Sequence, residues 1–99
     1  MSGIDRSEHA KTSMGLVVSY NKSEIEKIKN IIQYHQDWNA RLREKLKNGG
    51  ISFYKKTDIE HRIHRNKIII RGMSEYIVEL KSDIKAAQKS YDKIKKQCF

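Results

Sequence analysis

Residues 39–66 read NARLREKLKNGGISFYKKTDIEHRIHRN, and this stretch decides the fold. An Asn-Gly-Gly turn lies at its centre, and apolar residues on both sides recur at intervals of three and four. That spacing places them on one side of a helix, so the stretch predicts two helices that meet across the glycines. When the helices fold back antiparallel across the Asn48-Gly49-Gly50 turn, with facing position numbers that sum to 105, Asn39 at one end lies opposite Asn66 at the other.

The same spacing continues outward from this stretch in both directions. The first ladder consists of Ile25, Ile28, Ile32, His35, Asn39, Leu42 and Leu46. The second consists of Ile59, Ile63, Asn66, Ile70, Met73, Ile77, Leu80, Ile84, Ala87, Tyr91, Ile94 and Cys98. Facing positions have numbers that sum to 105, which pairs Leu42 with Ile63. We therefore predict an all-α fold, an antiparallel and coiled-coil-like helical hairpin with a long second helix.

The two asparagines are the matched polar exceptions of the ladders. They invite interpretation as ligand or catalytic residues. A paired amide in a helical seam, however, fixes the register at some cost in stability. We therefore interpret Asn39 and Asn66 as a register pair.

Helix signals set the predicted boundaries. Ser23 has the residue type of an N-cap, and glycines after Asn48 are typical of a helix C-terminus. The series Thr57-Asp58-Ile59-Glu60 has the pattern of a capping box that opens a second helix. We therefore predict two regions. Residues 1–20 form a flexible arm with a short apolar island. Residues 21–99 form the hairpin, with a helix at 23–47, a loop at 48–56 and a helix at 57–97.

The predicted helices differ in length, so the first covers the second ladder only as far as Leu80. An apolar overhang follows, with Ile84, Tyr91 and Ile94 as a predicted docking surface. In the same register Met14 and Val18 of the arm would face this overhang, and the sequence leaves open whether the arm folds back.

Apolar residues also widen the face beside the seam. They include Ile31, Tyr34, Trp38, Ile68, Ile69, Tyr76 and Val78. Gly72 lies on an outer position, either as a tolerated weak point or as a place where another helix approaches closely. Isolated two-helix hairpins are only marginally stable. We therefore expect a homo-oligomer, such as a four-helix dimer, or a complex with a partner helix.

Composition narrows the function classes. The 99 residues include no proline and carry a net charge of +9, from 21 Lys/Arg against 12 Asp/Glu. Such a field attracts acidic partners, either an acidic protein or nucleic acid. No apolar run reaches the roughly 20 residues of a membrane span. The single cysteine, Cys98, gives no disulfide scaffold, so we expect a cytoplasmic location.

Residue patterns of an enzyme or a cofactor site are missing from the sequence. It has no phosphate-cradling glycine loop, no nucleophile elbow and no carboxylate pair on a scaffold. His61 and His64 could share a helical face beside Glu60, but they lack the pattern of helical zinc proteases. We expect no enzymatic activity, no cofactor and no metal.

The charge distribution is the best functional signal. Between residues 41 and 67, nine cations oppose three anions. The predicted partner-binding tip consists of Arg41, Arg43, Lys45, Lys47, Phe53, Tyr54, Lys55 and Lys56. From residue 81 onward six lysines oppose two aspartates, and a ridge of predicted phosphate contacts recurs every four residues at Lys81, Lys85, Lys89 and Lys93. Basic residues interleaved with aromatics can bind phosphates and stack bases.

The leading hypothesis is a non-enzymatic adaptor, regulator or inhibitor. It would bind an acidic protein through the tip and through the unpaired overhang. The first alternative is an RNA- or DNA-binding hairpin dimer that uses the lysine ridge and the tip. The second alternative is a small helical chaperone whose overhang covers an apolar helix of its client.

Overall fold

The computed structural model describes the backbone of residues 6–98 and the side chains of residues 8–97. It contains two helices, α1 (Arg6–Asn48) and α2 (Phe53–Cys98), and the described residues contain no strand. The helices pack against each other in antiparallel directions. The predicted all-α helical hairpin is therefore confirmed. The side chain of Cys98, the last member of the second ladder, lies outside the described residues.

α1 begins 17 positions earlier than predicted, at Arg6 instead of residue 23. The expected flexible arm is therefore wrong for residues 6–20, which are helical, while residues 1–5 lie outside the description. The first ladder continues toward the N-terminus through Met14, Val18 and Asn21. Burial of this extended seam outweighs Gly15, which costs about 1 kcal/mol relative to alanine inside a helix.

α2 begins at Phe53, four residues before the predicted start. The Ser52 side chain is its N-cap, because the Lys55 backbone N–H donates to Ser52 Oγ over 3.2 Å. The Lys56 N–H donates to the Ser52 carbonyl at 2.9 Å, which is the first helical hydrogen bond. The predicted capping box at residues 57–60 is wrong, since these residues lie inside the helix.

The connection between the helices is residues 49–52, and two glycines make it possible. Gly49 and Gly50 have φ values of 69° and 72°, in the left-handed region that side chains with a Cβ disfavour. The observed connection is therefore shorter than the predicted loop at residues 48–56.

The described residues fall into two compact units, each built from segments of both helices. The turn unit, Lys27–Tyr76, has a core of Leu42, Ile59 and Ile63, against which Trp38, Leu46 and Ile51 pack. The end unit comprises residues 6–26 and 77–98. Its buried residues are Ile25, Ile77, Leu80 and the amide Asn21.

Candidate binding surfaces

The register pair lies in the turn unit and is the most deeply buried polar contact described. Asn39 and Asn66 are only 2% and 3% exposed. Asn66 Nδ2 donates to Asn39 Oδ1 at 2.8 Å, and Asn39 Nδ2 donates to the Ile63 carbonyl at 3.3 Å. Each amide therefore offsets the desolvation of the other. The side chains face each other as the ladders predicted, and their role in fixing the register stays a prediction.

His35, another polar member of the first ladder, is half-buried in the turn unit. Its Nδ1 donates to the Ile31 carbonyl at 2.9 Å, one helical turn earlier. Its ring centroid lies 5.4 Å from that of Tyr34 and 6.3 Å from that of Trp38. The imidazole is thus part of an aromatic cluster on α1.

The tip is the most exposed apolar surface of the turn unit. Phe53 and Tyr54 open α2 with 78% and 86% of their surfaces exposed. Their ring centroids are 6.4 Å apart, with an angle of 73° between the planes. The Ser52 cap lies at the first helical turn, which carries both rings. The six predicted tip cations are also exposed, namely Arg41, Arg43, Lys45, Lys47, Lys55 and Lys56.

A cavity beside the tip was not foreseen from the sequence. It has a volume of about 420 Å³, and its apolar lining comes from Leu42, Ile51 and Ile59. The same lining includes the cationic residues Lys45, Lys55 and Arg62 and the acidic residue Asp58. Ile51 lies outside both ladders, and only its position between glycines and aromatics could have indicated this role. The cavity therefore combines apolar side chains with three cationic residues and one acidic residue, a net positive lining.

In the end unit, an open groove occupies the place of the predicted overhang. The groove has a volume of about 830 Å³ and receives Ala10, Met14 and Val17 from α1. From α2 it receives Ala87, Ser90, Tyr91 and Ile94 among others. The prediction that Ile84, Tyr91 and Ile94 are unpaired is therefore wrong, because α1 extends along them and they are half-buried. Whether these residues dock a partner stays a prediction.

The lysine ridge belongs to the end unit. Lys81, Lys85, Lys89 and Lys93 are all exposed on α2, and four-residue spacing keeps successive lysines about 6 Å apart along the axis. The ridge is therefore exposed to solvent, and its contact with phosphates stays a prediction.

The described residues contain no group of three or more His, Cys, Asp or Glu side chains that could hold a metal ion. Neither described helix is long and apolar enough to cross a membrane. Comparison with protein-family models, curated proteins and solved structures found no match to this chain.

Proposed function

We propose that this protein is a non-enzymatic adaptor, regulator or inhibitor that binds an acidic protein through its tip. The observation that carries the proposal is the exposed aromatic pair, Phe53 and Tyr54, at the capped start of α2. Large aromatic side chains dominate interface energetics when a partner buries them. Both rings are carried by a helical backbone, so binding need not order the backbone at this point.

The cavity beside the tip favours a partner that presents both an apolar side chain and a carboxylate. Its floor of Leu42, Ile51 and Ile59 would accept an apolar side chain, and the ammonium groups of Lys45 and Lys55 would pair with a neighbouring carboxylate. The net charge of +9 would steer such a partner toward the chain and raise the association rate. The angle of 73° between the two aromatic rings is less suited to stacking consecutive parallel bases.

A pull-down from native lysate with the full chain as bait tests the proposal. Phe53→Ala/Tyr54→Ala should reduce recovery of the main protein partner at least about tenfold, as expected for two anchor residues. Lys55→Glu/Lys56→Glu should reduce it as well, because the reversed charges repel an acidic surface. In each case recovery is measured with and without nuclease.

Leu16→Ala/Tyr20→Ala is the matched control, since these two apolar side chains are also exposed but belong to the end unit. This variant should recover the partner as well as the unmodified chain does. Equal recovery by the control and by the Phe53/Tyr54 variant would count against the tip.

The exposed lysine ridge favours one alternative, binding of RNA or DNA. In that case nuclease would remove everything that the bait recovers, and binding of a labelled duplex would fall steeply with salt as counterions are released. Reversal of Lys81, Lys85, Lys89 and Lys93 to glutamate would abolish this binding and leave capture of an acidic protein through the tip.

A further inference from the structure

The open groove of the end unit has a polar end and an apolar end. In the register of the ladders His9 of α1 and Gln97 of α2 lie at nearly the same level, toward the N-terminus of α1. We call this the outer end of the groove. Val17 and Ala87 line the opposite, inner end. The middle is lined by Ser13, Met14, Ser90 and Tyr91.

Short side chains leave the space that forms the groove. Ala87 occupies a seam position between the much larger Ile84 and Tyr91, and the serines Ser13 and Ser90 lie beside the seam. The resulting volume of about 830 Å³ falls within the range of about 300–1,000 Å³ that is usual for small-molecule sites. Such sites are mostly apolar, contain a few polar groups and often lie between helices. The groove therefore has the size and the composition of a ligand site.

The segments that line the groove are strongly basic. Residues 9–17 and 87–97 together contain five lysines and one aspartate, so their net charge is +4 with histidine neutral. A second copy that docked groove to groove would bring two such charges together, and repulsion opposes that arrangement. An anionic occupant is complementary to the groove.

The groove is too narrow to enclose a third helix. Its ends are eight positions apart on α1 and ten on α2, which corresponds to a length of about 12–15 Å. Dividing the volume of 830 Å³ by this length gives a mean cross-section of about 55–70 Å². A helix with its side chains is about 10–12 Å across and needs about 80–110 Å². An extended alkyl chain is much thinner and fits.

We propose that the groove binds a free fatty acid, an unbranched alkyl chain with a terminal carboxylate. The carboxylate lies at the outer end, beside Gln97. The chain runs inward between Met14 and Tyr91, toward Val17 and Ala87. This site belongs to the end unit alone, and the proposal does not depend on the proposed function of the tip.

Lys93 supplies the charge that pairs with the carboxylate. It lies three positions after Ser90 and four before Gln97, which both line the groove, so all three share one helical face. Lys93 is exposed, and none of the ion pairs among the described residues involves it. Its long side chain can therefore reach the outer end, where the Gln97 amide can donate to the same carboxylate.

Isothermal titration calorimetry of the full chain with sodium decanoate, below the micelle concentration, tests the proposal. We expect saturable binding of one decanoate per chain. Octanoate should bind about fivefold more weakly, because each missing CH₂ group costs up to about fourfold when it is fully buried. Decanol and decyltrimethylammonium should also bind at least about fivefold more weakly, because neither carries a negative charge. Absence of saturable binding, or equal affinity for the three head groups, would overturn the proposal.

Filling the groove should remove the site. Ser13→Leu/Ser90→Leu should weaken decanoate binding at least about tenfold, because the leucine side chains occupy the groove while leucine favours a helix. Ser19→Leu/Ser82→Leu is the matched control, with two exposed serines of the end unit, one on each helix, outside the lining. It should bind as the unmodified chain does. Circular dichroism checks that both variants remain helical, and equal losses in the two would contradict a site in the groove.

Charge reversal tests the position of the carboxylate. Lys93→Glu should weaken decanoate binding about fivefold and should strengthen binding of decyltrimethylammonium, because the head group then meets the opposite charge. Lys85→Glu makes the same charge change at an exposed position that is not one turn from any lining residue. It should change both affinities much less. Equal effects of the two reversals would show that Lys93 does not face the head group.

Nuclear magnetic resonance of the ¹⁵N-labelled chain locates the bound decanoate. Amide shifts should concentrate in residues 9–17 and 87–97, with little change at Phe53 and Tyr54. Shifts centred outside the groove would contradict the proposal.

Two further measurements distinguish other occupants of the groove. Sedimentation equilibrium detects a second copy, and dimers that the Ser13/Ser90 variant loses but the Ser19/Ser82 variant keeps would assign the groove to self-association. Flotation with vesicles of equal parts phosphatidylcholine and phosphatidylglycerol detects a membrane lipid. Vesicle binding that only the Ser13/Ser90 variant loses would replace the free fatty acid with a membrane lipid. We expect neither result, and either one would overturn the proposal.

Discussion

At the scale of single residues, the buried amide pair of Asn39 and Asn66 is the polar contact that we predict to fix the register. Leucine at positions 39 and 66 would satisfy the hydrophobic ladder equally well. An amide is accepted only where a second amide can meet it, because an unpaired buried polar group is costly. We therefore expect the 2.8 Å contact between Asn66 Nδ2 and Asn39 Oδ1 to disfavour registers in which the ladders are shifted.

Asn39→Ala should destabilise the chain by about 1–3 kcal/mol, because Asn66 Nδ2 then lacks its acceptor in a buried site. The free energy of unfolding from urea titration, followed by circular dichroism, measures the effect at fixed protein concentration. Asn39→Leu/Asn66→Leu removes both amides and should recover most of the loss. A single variant as stable as the unmodified chain would show that the amide contact contributes nothing.

At the scale of helices, the boundaries mark the limit of what the sequence could predict. The seam, the glycine turn and the facing of the two asparagines follow from spacing that is fixed by helix geometry. The start of α1 does not follow from this spacing, because Gly15 and the polar residues around it gave only a weak local signal for a helix over residues 6–20. Ala87, Tyr91 and Ile94 of a distant segment line one groove with residues of this part of α1, and such tertiary packing, which stabilises helices more than local propensity does, is not visible in the local sequence.

The start of α2 was missed for a different reason, since two cap patterns compete within a few residues. Ser52 and Thr57 are both acceptable N-caps by residue type, and the acidic residue three positions after Thr57 strengthened the wrong choice. The tip aromatics were recognised as candidate contact residues, but their helical position and the adjoining cavity depend on Ser52.

Ser52→Ala should lower the free energy of unfolding by about 0.5–2 kcal/mol, because the Lys55 N–H loses its side-chain acceptor. Urea titration measures the change. Ser23→Ala is the matched control, since Ser23 is exposed inside α1 and alanine is the better helix former. If both substitutions shifted the midpoint equally, Ser52 would not be the functioning cap.

At the scale of the whole molecule, the two units differ in how completely their seams are buried. In the turn unit Leu42, Ile59 and Ile63 are buried, as is the amide pair. In the end unit the seam is only half-buried beyond Leu80, where the open groove lies. Fewer buried apolar contacts lower the free energy needed for local opening.

Native-state hydrogen exchange should therefore be slower in the turn unit. Amides near Leu42 and Ile63 should be protected at least about tenfold more than amides near Met14 and Ala87. Only helix-interior amides, more than one turn from any helix end, are compared, so that fraying does not contribute. Mass spectrometry of peptides gives the rates, and equal protection in the two units would contradict the inferred difference.

The glycine turn also influences the order in which contacts form during folding, because contacts near the turn close shorter loops. Asn39 and Asn66 are 27 positions apart, whereas Met14 and Tyr91, which line one groove, are 77 apart. Closing the longer loop from the unfolded state costs about 1 kcal/mol more in chain entropy. Contacts of low sequence separation form first, so nucleation is expected near Gly49 and Gly50. Substitutions near this turn would then slow folding, while those lining the groove would chiefly accelerate unfolding.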